Sequence, residues 1–180
     1  MAGTVHALLL KISEQSSGQV HLPEVPLAPG SGLTLLPLTD EIVAAMGMTA
    51  AGAAPVTGFY DLRKDVAEWA RRLSQHGVVA YVHTEFFGSA GFHAAMAWRD
   101  GAIAWGPLFT ATSDGEAEEH YATVTDRREM AVNVLLRWLG VQRADQFDEY
   151  AAVGLDRCRW TAEWAALLPA SRHQAVASST

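Results

Sequence analysis

The chain has 180 residues, a net charge of -7 and 49% apolar residues. That length fits a single domain with its own core, and the composition excludes disordered and collagen-like classes. Excess acid repels phosphate backbones, so nucleic acid is not an expected partner. The lone cysteine, Cys158, excludes an intrachain disulfide and a cysteine-rich zinc site, and it points to a reducing, cytoplasmic setting. No basic stretch precedes the apolar run Ala7–Leu10, which Lys11 ends, so neither a signal peptide nor a membrane anchor is expected.

One α+β domain is expected over 1–180, with a strand-rich N-terminal part (1–58) and a frayed tail over 172–180. Residues 4–12 read as a buried strand. After a polar turn, Gln19–Val25 alternates, so a hairpin is expected there. Gly32–Leu38 reads as another strand, with Pro37 placing it at an edge. Thr39 and Asp40 can cap a short helix through Met46, stopped by Gly47, and 49–58 reads as a loop. The strongest helical signal is 61–76, where Leu62, Val66, Trp69 and Leu73 share a face and Gly77 supplies the stop.

Residues 78–106 predict a three-stranded antiparallel meander: Val78–Phe87, Phe92–Trp98 and Ala102–Trp105. Asp100-Gly101 is a type I′ turn signal, which sets Trp98 opposite Ile103 and Met96 opposite Trp105 on one core face. For the first hairpin, a three-residue loop Ser89-Ala90-Gly91 gathers Val82, Thr84 and Phe86 with Met96 and Trp98. Tyr81, His83, Glu85 and His93 then share the opposite, wet face. A two-residue Ser89-Ala90 loop would drive His83 and Glu85 into the core face, because a one-residue slip flips every side chain, and the apolar pattern favours the three-residue loop.

Beyond Pro107 and an acidic loop, Thr123-x-x-Asp126 resembles a capping box ahead of a helix carrying Met130, Val134, Leu135 and Trp138 and ending before Gly140. A short helix over 144–152 around Phe147 and Tyr150, and a last one capped by Thr161 with Trp164, Leu167 and Leu168, complete the expected elements.

The candidate chemistry lies in His83, Glu85 and His93. Alternate strand positions point His83 and Glu85 the same way, and two imidazoles with a carboxylate are the donor set of a metal site or an acid–base pair. Against this stands the ordinary reading, the solvated face of an antiparallel sheet, on which no metal and no cofactor is expected. Ala95, Ala97, Ala102 and Ala104 share that face, and small residues there invite a covering helix, 61–76 or 126–139, or a docking partner. Cys158 lies between Arg157 and Arg159 with no histidine joined to it by motif, and reads as an inert thiol. No nucleophile elbow, Walker A loop or dinucleotide fingerprint occurs. Asp114, Glu116, Glu118 and Glu119 form the densest acidic cluster, suited with Tyr81 to contact a basic protein.

The segment Tyr81-Val82-His83-Thr84-Glu85-Phe86-Phe87-Gly88, then Ala97-Trp98-Arg99-Asp100-Gly101, Gly106-Pro107 and Gly154-Leu155-Asp156-Arg157 with Trp164, resembles a family of small actinobacterial α+β proteins. In form it is similar to the immunity proteins of bacterial toxin systems. That resemblance implies a non-enzymatic interaction protein, of immunity or inhibitor type, with a basic protein such as a toxin as partner. It carries no catalytic residue with it. Two other readings stay open: a small metal-dependent or acid–base enzyme using His83, Glu85 and His93, and a small-ligand sensor with its pocket under the sheet. Homo-oligomerisation is left open by the sequence.

Overall fold

The computed structural model describes residues 2–12, 22–48, 54–87, 90–113 and 118–169. Its centre is a seven-stranded sheet. The strands are β1 (Ala2–Ile12), β2 (Val25–Pro26), β3 (Thr34–Pro37), β4 (Gly77–Phe87), β5 (Ala90–Arg99), β6 (Ala102–Ala111) and β7 (Ala122–Thr123). Their order is β2-β3-β1-β4-β5-β6-β7, antiparallel throughout except for the parallel pair β6–β7. This is the expected α+β architecture with the 78–106 meander inside it. Of the predicted Gln19–Val25 hairpin arm, residues 19–21 lie outside the described residues and only Val25–Pro26 is strand.

Both faces of the sheet are covered, and this decides everything about the site. On the first face Leu8, Leu10, Val79, Tyr81, Met96 and Trp98 pack under helices α1 (Asp40–Ala45) and α2 (Lys64–Leu73). On the second, Val5, Ala7, Leu9, Val82, Ala95 and Ala97 pack under α3 (Ala131–Trp138), α4 (Glu149–Ala152) and α5 (Thr161–Ala166). Small residues at Ala95 and Ala97 let α3 lie close, with Ala131, Val132 and Leu135 against them. The helix over Ala95 and Ala97 is therefore the later of the two offered, whereas Ala102 and Ala104, expected to share the covered face, are exposed. No helix among the described residues is long and apolar enough to cross a membrane.

Local chemistry explains the helix ends. The Thr39 hydroxyl accepts a hydrogen bond from the Ile42 amide at 3.3 Å, as an N-cap does, and Gly47 beyond α1 has φ 81°. The cap expected at Thr123 does not open α3, whose N-cap residue Met130 makes no side-chain hydrogen bond. Asp126, not Thr123, accepts from the Arg128 amide and opens a 3₁₀ turn (Arg127–Glu129), while Thr123 belongs to β7. Thr161 does not cap α5; its hydroxyl accepts from the His6 amide at 2.9 Å and donates to the Thr4 carbonyl at 3.2 Å. It thereby closes the edge of β1 that β3 is too short to reach. The last-turn assignments also shift: Leu167 is exposed and Trp164 is fully buried.

The second hairpin forms as its sequence dictates. Asp100 (φ 53°) and Gly101 (φ 75°) both take the left-handed conformation of a type I′ turn, and Trp98 pairs with Ile103. β6 then runs on to Ala111, well past the predicted end at Trp105, through two register shifts. Each extra residue reverses the alternation, so Trp105 pairs with Ala97 and stacks near Trp138 on the second face instead of joining Met96. Ile103, though opposite Trp98, is exposed. The single core face drawn from these four residues is thus corrected to Met96 and Trp98 alone.

The first hairpin is corrected outright. Phe87 pairs with Ala90 and Phe86 with Gly91, so only residues 88 and 89 connect the strands. Gly91 is a strand residue, not a turn residue. A Cβ there would stand 2.3 Å from the Glu85 carbonyl oxygen, so glycine fits the close approach of the two backbones.

Trp98 is buried, so Trp98→Ala should cost about 3–5 kcal/mol of unfolding free energy. Ile103→Ala, on its exposed partner, should stay within roughly 0.5 kcal/mol. Urea denaturation of the two variants checks both, and an equal loss in the two would contradict this assignment of the core face.

Candidate functional site

The register places two buried histidine sites back to back. On the first face, β1 and β4 bring His6 directly opposite His83, with ring centroids 5.7 Å apart. Tyr81 stands beside His6 at 5.3 Å, edge to face, and Phe92 lies 5.7 Å from His83. The His83 side chain is wholly buried. Its Nε2 lies 3.4 Å from Glu85 Oε1 and 3.7 Å from Asp61 Oδ2. These contacts lack hydrogen-bond geometry, so neither His83 ring nitrogen has a partner among the described residues, nor do His6 Nε2 and the Tyr81 hydroxyl. Burial holds the His83 imidazole below its ordinary pKa, against the pull of Asp61 and Glu85. Burial, then the neighbouring His83, brings His6 down to about 3. The Tyr81 phenol is pushed well up by burial. A 250 Å³ cleft lined by His6, Tyr60, Asp61 and Arg63 opens beside the group.

On the second face, His93 pairs across the strands with Thr84 and with Thr110. It is buried between Phe86, 5.4 Å away edge to face, and Tyr150, 6.3 Å away. Neither His93 ring nitrogen nor the Thr84 hydroxyl has a hydrogen-bond partner among the described residues. Burial, then the positive charge of Arg127, brings His93 down to about 3, so it is a neutral imidazole with one donor and one acceptor unspent. It borders a 450 Å³ cavity whose other walls include Phe86, Met130, Phe147, Tyr150 and Cys158. The Tyr150 phenol is pushed up to about 12, chiefly by burial, and burial also raises the Cys158 thiol. Asp148 is spent on structure: it caps α4 through the Ala151 amide at 2.9 Å and meets the Asn133 amide at 3.4 Å.

The expected convergence of Tyr81, His83, Glu85 and His93 on one wet face is therefore overturned. The two-residue connection puts Tyr81, His83 and Glu85 on the face of Met96 and Trp98, and His93 on the other. Both faces are dry. The His/Glu/His grouping re-forms with His6 in place of His93 and with Asp61 added, but among the described residues no group of three or more His, Cys, Asp or Glu is placed to hold a metal ion. In the acidic cluster Glu118 and Glu119 are exposed, and Asp114 and Glu116 lie outside the described residues. His6, Asp61, Arg127 and Tyr150 were missed as site residues. Only His6 left a signal, as a lone imidazole inside the apolar run of β1; the others reach their sites through tertiary packing.

Comparisons of the chain with protein-family models, with curated proteins and with solved structures found no match.

The buried neutral histidines make stability depend on pH in a defined direction. His6 and His93 bind a proton near 6.5 when unfolded but only near 3 when folded, so the unfolded state takes up more protons as pH falls below 6.5. Stability is full above 6.5 and is lost downward through that window, by about 1.4 kcal/mol per pH unit for each histidine. Between pH 7 and 5 the two should remove on the order of 4 kcal/mol, before most carboxylates begin to titrate. Urea midpoints across that range check it; a flat profile would contradict the burial of both rings.

Proposed function

We propose that this chain is a small-ligand-binding domain whose ligand occupies the cavity over His93. One observation carries the reading: a fully buried imidazole, with a donor and an acceptor both unspent, borders a cavity of 450 Å³. An unpartnered buried polar group costs about 1–3 kcal/mol, and a fold keeps such a cost where a bound molecule offsets it. The cavity falls within the size range of small-molecule sites and has their character, apolar and aromatic walls with a few polar groups. It sits at one end of the sheet between β4, β5 and the α3–α4 segment, so its walls come from elements distant in sequence and rigidly packed.

The acidic-surface reading rests on Glu118 and Glu119, which are exposed like many surface acids; it has no second feature in its support. An acid–base reading at His83 draws on the 3.4 Å approach of Glu85, but the cleft beside that group is smaller, at 250 Å³. The cavity over His93 takes precedence.

Cys158, the chain's one cysteine, lines the same cavity and reports on its occupancy. Anilinonaphthalene sulfonate should bind with enhanced fluorescence and slow the alkylation of Cys158 by iodoacetamide at least about threefold, as expected when a bound molecule covers the thiol. Ala151→Trp, which fills the cavity from α4, should abolish both effects while thermal unfolding stays cooperative. Unchanged dye binding in Ala151→Trp, or dye binding without protection of Cys158, would place the ligand elsewhere and sink the proposal.

A further inference from the structure

The cavity over His93 carries charged groups as well as apolar surface, and not all of them are paired. Two arginines line it, Arg127 from the 3₁₀ turn before α3 and Arg159 from the segment before α5. Among the described residues neither guanidinium has a hydrogen-bond or ion-pair partner. Arg127 lies only over the Phe147 ring, at 5.7 Å, and at Arg159 the hydrogen bond is made by the backbone amide, to Glu163. Four other arginines meet carboxylates, Arg63 with Asp65, Arg71 with Glu68, Arg128 with Asp126, and Arg137 with Glu129 and Glu149, while Arg143 and Arg157 hydrogen-bond only to backbone carbonyls and Arg99 lies over the Trp138 ring. The cavity has two acids of its own. Asp148 is committed to the cap of α4 and to Asn133, which leaves Asp156 as its one uncommitted carboxylate. The donors of two guanidiniums thus stand unspent on a cavity that also holds Asp148 and Asp156.

The wall between them is apolar. Phe86, Met130 and Phe147 offer a surface for an aromatic or branched body, and His93 offers a neutral donor and acceptor deeper in. We infer that the ligand is a small amphipathic carboxylate, its anionic end held by Arg127 and Arg159 and its apolar body on Phe86, Met130 and Phe147. This rests on the ligand-binding reading above and adds the chemical class. Guanidinium suits the role because its planar fork meets both oxygens of a carboxylate, and it is only weakly hydrated, so giving up water costs it less than it would a lysine. A neutral imidazole beneath discriminates further: it accepts or donates to an uncharged polar group but offers a second anion no charge.

Three probes of one shape and different charge separate the possibilities: 3-phenylpropionate, 3-phenylpropanol and 3-phenylpropylamine, each titrated calorimetrically into the intact protein at neutral pH and low salt. The carboxylate should bind at least about tenfold tighter than the alcohol, the equivalent of one charge-assisted hydrogen bond, and the amine weakest of all. Arg127→Ala and Arg159→Ala are exposed substitutions that leave the core intact, and together they should reduce the carboxylate to the affinity of the alcohol without altering the alcohol itself. Equal or tighter binding of the alcohol or the amine would overturn the anionic class while leaving a ligand-binding cavity. So would a carboxylate preference that survives the double variant. If none of the three binds or protects Cys158 from alkylation, the ligand-binding reading fails and takes this inference with it.

Discussion

The interior of this protein is governed by a sheet whose central strands are covered on both faces. β1, β4 and β5 run through the middle of it, and helices close over them from both sides. A polar side chain midway along a central strand therefore has little access to bulk water, whichever way it points. Among the described residues five stand there, His6, Tyr81, His83, Thr84 and His93, each with a buried polar atom that has no hydrogen-bond partner among those residues. Apolar substitutes of similar size would fill the same volume without the desolvation cost. Their presence in the best-packed part of the fold is the feature around which the functional reading is built.

The two faces treat their histidines differently. On the first, His6 and His83 neighbour each other, and the carboxylates of Glu85 and Asp61 reach toward His83 from a half-buried and an exposed position. A proton arriving there would find negative charge at hand. On the second, His93 meets the positive charge of Arg127 and two aromatic rings, so a proton is doubly unwelcome and the ring is held neutral. One face could exchange a proton; the other can only hydrogen-bond. That asymmetry, together with the larger cavity at His93, 450 Å³ against 250 Å³ at His6, favours recognition over catalysis at His93.

Much of the fold was legible because it rests on local chemistry. The Asp100-Gly101 turn follows from two residues that tolerate positive φ. Thr39 at the start of α1 and Gly140 after α3 mark their helices for equally local reasons. The alternation of β1 and the helical spacing of Val66 and Leu73 on α2 revealed which segments were buried. The candidate site was legible only in its residue types. His83 and Glu85 do lie together, two apart on one strand, but the partner assigned to them was wrong.

What the sequence by itself determined is the set of elements, their approximate ends and the single tight turn of the second hairpin, since each depends on contacts within a few residues. The tertiary structure alone decided which face each strand residue serves. Hydrophobic alternation sets a register only when one face of a sheet is wet, and here Thr84, His93, Ala95 and Ala97 are as deeply buried as Met96 and Trp98. With the pattern silent, close backbone approach at Gly91 fits the two-residue connection, and the bulges of β6 moved Trp105 across the sheet. The pairing of His6 with His83 spans 77 positions, and the cavity over His93 draws on both ends of the chain; no spacing along the sequence encodes either one.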